Sequence, residues 1–212
     1  MAMNIIFPPR PKGAIPPTEL DYYESLKVYC VQPKYNGSRN PIHITPDGQV
    51  FSYSRHGRAH RTYEMPESVK REILALPGLQ KGIEVWLDAE LLSKTTAADT
   101  KHKIVLFDVL HYDKYLFLSP NQIGRLELLA KICGNPTKMD NLRGMGYVVS
   151  ENILMSPTYY SNFKEEFLKD RGDEVEGLVL RKMDSVLDNF GQKEYEVNWL
   201  IRCRRPHKNY NF

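Results

Sequence analysis

Six consecutive residues, Lys34-Tyr35-Asn36-Gly37-Ser38-Arg39, have the types and spacing for covalent chemistry. An apolar, β-favouring stretch, Val28-Tyr29-Cys30-Val31, precedes them, and Ile42-His43-Ile44 follows. This order predicts Lys34 at a strand end, on a turn made by Asn-Gly. A lysine held there can be partly desolvated and shed its proton more easily than in water. The neutral amine is a nucleophile. The competing reading is a hairpin with an exposed lysine, and the rest of the chain has to separate the two.

Four further segments carry charge in unexpected places. In Trp86-Leu87-Asp88-Ala89-Glu90-Leu91-Leu92, strand periodicity sets Asp88 and Glu90 on one face, where they repel unless a cation lies between them. Ile104-Val105-Leu106-Phe107-Asp108-Val109-Leu110 is almost wholly apolar, so Asp108 requires a partner in a buried strand. Phe107 is most simply core, but an aromatic there could also stack on a base. In Glu174 to Lys182, Glu176 and Gly177 open an apolar strand, and the glycine lets a ligand or another backbone approach. Glu176 could bind a metal or pair with Arg181 or a nearby lysine. In Trp199 to Lys208, Arg202 and Arg204 share a strand face, and alternating arginines suit phosphate oxygens. A lysine nucleophile, carboxylates and paired arginines suit attack on a phosphoryl group with Mg²⁺ neutralising charge. No G-x-x-x-x-G-K-[ST] sequence occurs, which argues against a P-loop.

Strand-like segments would position these groups: 26–33, 41–45, 49–54, 83–92, 103–110, 146–154, 175–182 and 194–204. Three helices interrupt them. Residues 66–76 present Val69, Ile73, Leu74 and Leu76; residues 120–133 present Ile123, Leu126, Leu129, Ile132 and Cys133 and stop at Gly134. Residues 158–171 carry Tyr160, Phe163, Phe167 and Leu168 and stop at Gly172. Many strands with few helices predict an α+β fold of mostly antiparallel sheets. Residues 8–17 hold five prolines and one glycine, which predicts an extended arm rather than a helix.

With 212 residues the chain suits one domain of somewhat over typical size, or one domain plus a small appendage, long enough to bury a core without staples. The net charge of +3 permits a polyanionic partner without demanding one. Three scattered cysteines argue against a disulfide framework or a zinc site and fit a reducing compartment. The apolar stretch Met1 to Phe7 is too short for a signal peptide or membrane span, so a soluble cytoplasmic protein is expected.

The ordered set K-Y-N-G-S-R, S-R-H-G (54–57), L-D-A-E-L (87–91), V-L-F-D-V-L (105–110), E-G-L-V-L-R-K (176–182) and W-L-I-R-C-R (199–204) resembles the covalent nucleotidyltransferase superfamily. It is most similar to the adenylation domain of ATP-dependent polynucleotide ligases, over residues 28–205. The resemblance implies a nucleotidyltransferase fold over residues 26–212, behind a proline-rich arm at 1–25. It implies that Lys34 attacks the α-phosphate of ATP, with Mg²⁺ or Mn²⁺, to give a lysyl-AMP. The AMP then passes to a 5′-phosphate end, and a 3′-hydroxyl displaces it. Arg39 would contact the ribose or the 5′-phosphate strand, Arg55 ribose or phosphate, and Glu90 the ribose or the metal. Phe107 would stack on adenine, Glu176 would engage the metal, and Gln32 would read the adenine edge. Arg202 and Arg204 stand where the family has two lysines that contact the triphosphate.

Two departures shape the expected substrate. Asn36 stands where the family has Asp, as it does not always in RNA ligases, which points to RNA on at least one strand end. The expected domain carries no OB-fold, so the basic loop from Arg55 to Arg61, with Arg58 and Arg61, and the tail residues Arg205 and Lys208 would clamp nucleic acid. His56 and His60 have helical metal spacing but no third ligand nearby. A monomer acting on polynucleotide ends is the reading. A DNA nick ligase, a GTP-using capping enzyme and a nucleic-acid-binding protein on a decayed ligase scaffold are the alternatives.

Overall fold

In the computed structural model, which describes residues 5–92, 102–113, 120–140, 144–187, 193 and 195–205, the strand-favouring segments pair into two sheets. The smaller contains β1 (Arg10–Ile15), β2 (Tyr29–Tyr35), β10 (Val175–Lys182) and β11 (Glu196–Arg204), in the order β1-β11-β10-β2. The larger contains β3 (Ser38–Arg39), β4 (Ile42–Ile44), β5 (Val50–Ser52), β6 (Val85–Leu91), β7 (Ile104–Tyr112), β8 (Tyr147–Val148) and β9 (Ile153–Met155). Its order is β5-β4-β6-β7-β9-β8, with β3 also on β6. Among the described residues only β1 with β11 and β7 with β9 run parallel. The helices are α1 (Leu20–Ser25), α2 (Glu67–Leu74), α3 (Gln122–Ile132) and α4 (Phe163–Leu168). The α+β class with mostly antiparallel sheets is the one expected. No helix among the described residues is long and apolar enough to cross a membrane.

Alternation along each strand decides which face is core. In the smaller sheet Val31, Leu178, Leu180, Ile201 and Cys203 pack against Leu20 of α1 and Phe163 and Phe167 of α4. Their sequence neighbours Gln32, Lys34, Val179, Arg202 and Arg204 therefore face the other way. In the larger sheet Leu87, Ala89, Leu91, Ile104 and Leu106 meet Val69 and Ile73 of α2 and Leu129 and Ile132 of α3. Both polar faces look into the space between the sheets.

Asp108 finds the partner that its apolar strand demands. Arg125 Nε donates to Oδ1 at 3.0 Å, Arg181 Nη1 to Oδ2 at 3.0 Å, and Gln122 Nε2 to Oδ2 at 3.4 Å. Burial disfavours the Asp108 charge, yet the two guanidiniums hold its carboxyl below the usual range. Removing one member of such a buried set costs about 3–5 kcal/mol, because the others stay charged and unpaired. This network also corrects the face expected for α3. The helix buries Gln122, Arg125, Leu129 and Ile132, while Ile123 and Leu126 are only half-buried. Two polar residues turn inward because Asp108 waits there.

Other helix expectations shift for similar reasons. Leu74 of α2 is 41% exposed, whereas Leu76 is buried as expected, though the helix ends at Leu74. The helix expected over 158–171 is confined to Phe163–Leu168. Tyr159 exchanges two backbone hydrogen bonds of 2.9 Å with Val31, which holds residues 157–159 extended against β2. Tyr160 and Leu168 consequently lie outside the core, at 52% and 71% exposure. The proline-rich segment is extended as expected, but residues 10–15 are a strand of the smaller sheet, and α1 follows within the stretch assigned to the arm at 1–25.

Candidate active site

Lys34 lies inside β2, one residue before its end, and the Asn36-Gly37 step is not a hairpin turn. β2 belongs to the smaller sheet and β3 to the larger, so Asn36 and Gly37 carry the chain from one sheet to the other. Glycine is required there by space: a Cβ on Gly37 would stand 2.3 Å from the Leu91 carbonyl oxygen. Register then sets two rows across the smaller sheet. Lys34, Gly177 and Arg204 form one, and Gln32, Val179 and Arg202 the next.

Two β-bulges complete the arrangement. Tyr35 faces Val175 and Lys34 faces Gly177, leaving Glu176 without a partner of its own. On β7, Asp88 faces Asp108 and Ala89 faces Leu106, leaving Phe107 likewise extra. A bulge re-aims a side chain that strict alternation would send to the other face. Glu176 and Phe107 thereby join the lining of a cleft of about 700 Å³ between the sheets, with Gln32, Lys34, Glu90 and Arg202. That volume is in the range of small-molecule sites. Gly177 tolerates the bulge at φ +144°, and it is the Cys203 backbone, not a ligand, that approaches it.

Within the cleft the Lys34 ammonium pairs with Glu176 Oε1, and Arg204 Nε lies 3.6 Å from the same oxygen. Arg181, the other partner considered for Glu176, is committed to Asp108. Across from them Glu90 accepts a hydrogen bond from the Gly37 N–H at 3.1 Å. Burial pushes the Glu90 carboxyl up to about 7, against the opposing pull of Lys34 and Arg39. The cation that reconciles Asp88 and Glu90 on one face is Arg39. Its Nε donates to Asp88 Oδ1 at 3.0 Å, its Nη2 pairs with Oδ2, and its Nη1 donates to the Pro9 carbonyl at 2.8 Å. Burial works against the Arg39 charge, but Asp88 more than offsets it and raises the pKa.

Phe107 is not core. Its ring lines the cleft with guanidinium carbons of Arg39 and Arg181 at 5.7 and 5.3 Å from its centroid, within cation–π range. Gln32 is 1% exposed and donates from Nε2 to the Phe107 carbonyl at 3.3 Å and to Thr158 Oγ1 at 3.1 Å. Its Oε1 is buried and has no hydrogen-bond partner among the described residues. The Arg202 Nε is in the same condition. An unpaired acceptor and an unpaired donor in one cleft call for a ligand with a hydrogen-bond donor and an anionic group.

The peripheral basic residues divide. Arg55 lines the cleft mouth beside His56, with Nε 3.1 Å from the His56 Nε2. Arg58 and Arg61 are exposed on the same loop, outside the cleft lining. Arg205 is spent on structure: its guanidinium donates to the carbonyls of Val175, Phe167 and Lys169 and stacks over Phe167. These contacts compete with the place expected for it in the clamp. Lys208 lies outside the described residues. The His60 Nε2 is 2.9 Å from Asn40 Oδ1, and burial lowers its pKa. Thr158 carried no sequence signal, because its contact with Gln32 spans 126 positions.

No family model matches the chain, and no curated protein matches it. Solved structures do match its fold. A structure titled "Pmar-Lig_Pre." superposes with a TM-score of 0.61 at 15% identity, covering 94% of this chain and 47% of that one. The ATP-dependent DNA ligase from bacteriophage T7 in complex with ATP gives 0.54 at 13% identity, covering 91% and 67%. The ligase domain of LigD from M. tuberculosis gives 0.55 at 16% identity, covering 82% and 53%. The chain thus spans about half the length of the first of these structures. At such identities the likeness establishes the fold, which is the one the sequence resemblance implied.

Proposed function

We propose that this chain joins polynucleotide ends, 5′-phosphate to 3′-hydroxyl, using ATP and a lysyl-AMP intermediate on Lys34. The observation that carries the reading is the pair of rows on one sheet face. Lys34 and Arg204, then Gln32 and Arg202, face Glu90 and Phe107 across a single cleft. Lys34 Nζ, having given up its proton beside Glu176, attacks the α-phosphorus of ATP. The bond to the bridging oxygen breaks, and pyrophosphate leaves with the electron pair. The nucleic-acid 5′-phosphate then displaces the amine, taking the AMP and restoring Lys34. A 3′-hydroxyl attacks the activated phosphorus, a phosphodiester forms, and AMP leaves.

Each lining group has a part in that sequence. Arg202 and Arg204 neutralise phosphate oxygens and, being permanently charged, cannot act as proton donors. Phe107 offers its ring to the base. The Gln32 amide hydrogens are committed, so Oε1 accepts from the adenine amino group. Glu90 and Glu176, two carboxylates on either side of a nucleophilic amine, fit the donor set for Mg²⁺ or Mn²⁺. Such an ion supplies charge neutralisation at the phosphate when bound.

Asn36 is one ground for expecting RNA, and it also has a task in the fold. Asn36 Nδ2 donates to the Asp173 carbonyl at 3.0 Å, and its backbone N–H to the Glu174 carbonyl at 2.8 Å. An aspartate could not make the first bond. Asn36 thus fastens the sheet crossover to the segment leading into Glu176. The similar structures from bacteriophage T7 and M. tuberculosis bear the titles of a DNA ligase and a ligase domain. DNA on at least one side of the junction is the reading we favour.

Incubation with α-labelled ATP and Mg²⁺ tests the mechanism. An acid-labile protein adduct that Lys34→Ala abolishes is the expected result, and label surviving that substitution would sink it. Labelling from GTP but not ATP would favour a capping guanylyltransferase. Nicks with RNA or DNA on each side then read out the substrate, and binding without sealing would mark a non-enzymatic binder.

A further inference from the structure

The residues that precede β1 are fastened at several points. Ile6 is 9% exposed and packs with Trp86 and Leu110 of the larger sheet, beside Tyr53 and Leu187. Pro8 and Pro9 are buried. The Pro9 carbonyl accepts from Arg39 Nη1 at 2.8 Å, and the Arg10 N–H donates to the Tyr195 carbonyl at 3.0 Å. The arm is thus held before and after Phe7. The prolines stiffen it further, since each fixes its own φ and Pro8 restricts the backbone of Phe7 as well. Phe7 is half-buried, and its ring lies against the turn at 54–58, which carries Arg55. That turn is closed by the Ser54 N–H on the Arg58 carbonyl at 2.7 Å and the Gly57 N–H on the Ser54 carbonyl at 2.9 Å. A Cβ on Gly57 would stand 2.7 Å from Phe7 Cε1, 2.9 Å from Cζ and 3.1 Å from Ile5 Cγ2. Only a hydrogen fits between ring and turn.

Building on the adenylylation reading above, we infer that Phe7 is a positioning residue of the active site: its ring braces the turn at 54–58 and so sets Arg55 at the cleft mouth. Phe7 is not among the residues that line the cleft, whereas Arg55 is. Phe7 therefore acts through Arg55 and not on the nucleotide. Arg55 is exposed, and a long exposed side chain is aimed only as well as the backbone beneath it is held. The same arm fixes Arg39 through the Pro9 carbonyl, two residues beyond Phe7. One stiff segment thus sets the spacing between two cleft guanidiniums. Without the ring the turn keeps its internal hydrogen bonds but loses the surface it rests on, and Arg55 moves relative to Arg39 and Lys34. A displacement of an ångström in a positioned group slows a reaction by up to roughly 100-fold.

The test is a double-mutant cycle on the rate of Lys34 adduct formation, measured against ATP concentration. Wild type, Phe7→Ala, Arg55→Ala and the double variant are compared, with AMP affinity by calorimetry and thermal unfolding recorded for each. Phe7→Ala lowers kcat/KM for ATP by up to roughly 100-fold when Arg55 is present. Once Arg55 is alanine, Phe7→Ala has no further effect. Phe7→Leu, which keeps apolar bulk against Gly57, restores most of the rate. Equal losses with and without Arg55, or no loss with Arg55 present, make Phe7 merely structural and overturn the inference. Should Phe7→Ala not fold, Gly57→Ala pushes the ring from the turn and is read with and without Arg55, with the same two outcomes. A wild-type chain that neither forms the adduct nor binds AMP refutes the adenylylation reading, and this inference with it. In the inference's own failure, by contrast, wild-type labelling is intact.

Discussion

Gly177→Ala is the sharpest perturbation the geometry offers, because a single methyl tests the bulge that aims Glu176. A Cβ at this position would lie 2.1 Å from the Cys203 carbonyl oxygen and 2.9 Å from Arg204 Cα, where ordinary contact starts near 3.4 Å. The neighbours are backbone and cannot swing aside, so β10 and β11 must separate by roughly 1 Å, the difference between those distances. Overpacking of this kind costs about 1–3 kcal/mol. Holding a non-glycine residue at φ +144° costs about as much again, 1–3 kcal/mol. A chain of this length loses roughly 2–4 °C of Tm per kcal/mol, so unfolding should come about 5–20 °C earlier. The displaced strand carries Arg202 and Arg204, and loss of the bulge turns Glu176 from Lys34. An ångström of misplacement can slow a positioned reaction on the order of 100-fold. Thermal unfolding and the rate of AMP-adduct formation measure the two consequences. Gly13→Ala on β1 is the control, since a Cβ there meets nothing within 4 Å. Unchanged Tm and adduct rate in Gly177→Ala, or equal losses in Gly13→Ala, would refute the reasoning.

Two further outcomes are expected. The Glu90 carboxyl rises in the folded state from 4.5 to about 7, so the folded chain binds more protons than the unfolded one between those values, and stability declines as pH rises through that window. Denaturant midpoints should therefore favour Glu90→Gln increasingly over wild type from pH 5 to pH 8, and parallel curves would contradict the burial of this group. Arg58→Ser and Arg61→Ser should each flatten the salt dependence of polynucleotide binding by about one unit of slope, whereas Arg205→Ala should lower the Tm and leave the slope unchanged. A slope that follows Arg205 instead would return that residue to the nucleic-acid interface.

Much of this site was legible because its chemistry is written in local runs. Asp88 and Glu90 fall on one strand face by alternation alone, and an acid in the apolar run around Asp108 announces a partner. β10 begins and ends at the residues expected from the pattern. The identity of that partner was not legible, since Arg125 and Arg181 reach Asp108 from a helix and from the other sheet. For the same reason the buried face of α3 was misread: hydrophobic periodicity cannot foresee a helix that turns an arginine inward. The Asn-Gly dipeptide is a hairpin signal, but its two flanking strands found different partners, and nothing within six residues records that choice.

Amino-acid order alone specifies the inventory: a lysine between β-favouring runs, paired arginines, carboxylates at strand spacing, and an α+β order of elements. These follow from periodicity and residue type, which act over a few neighbours. The tertiary structure alone decided the aim. Bulges at Glu176 and Phe107 exist because strands distant in the chain pair with one residue to spare. Thr158 reaches Gln32 only because residues 157–159 lie down along β2. Register is a property of hydrogen bonds between segments, and it converts a list of reactive side chains into one cleft.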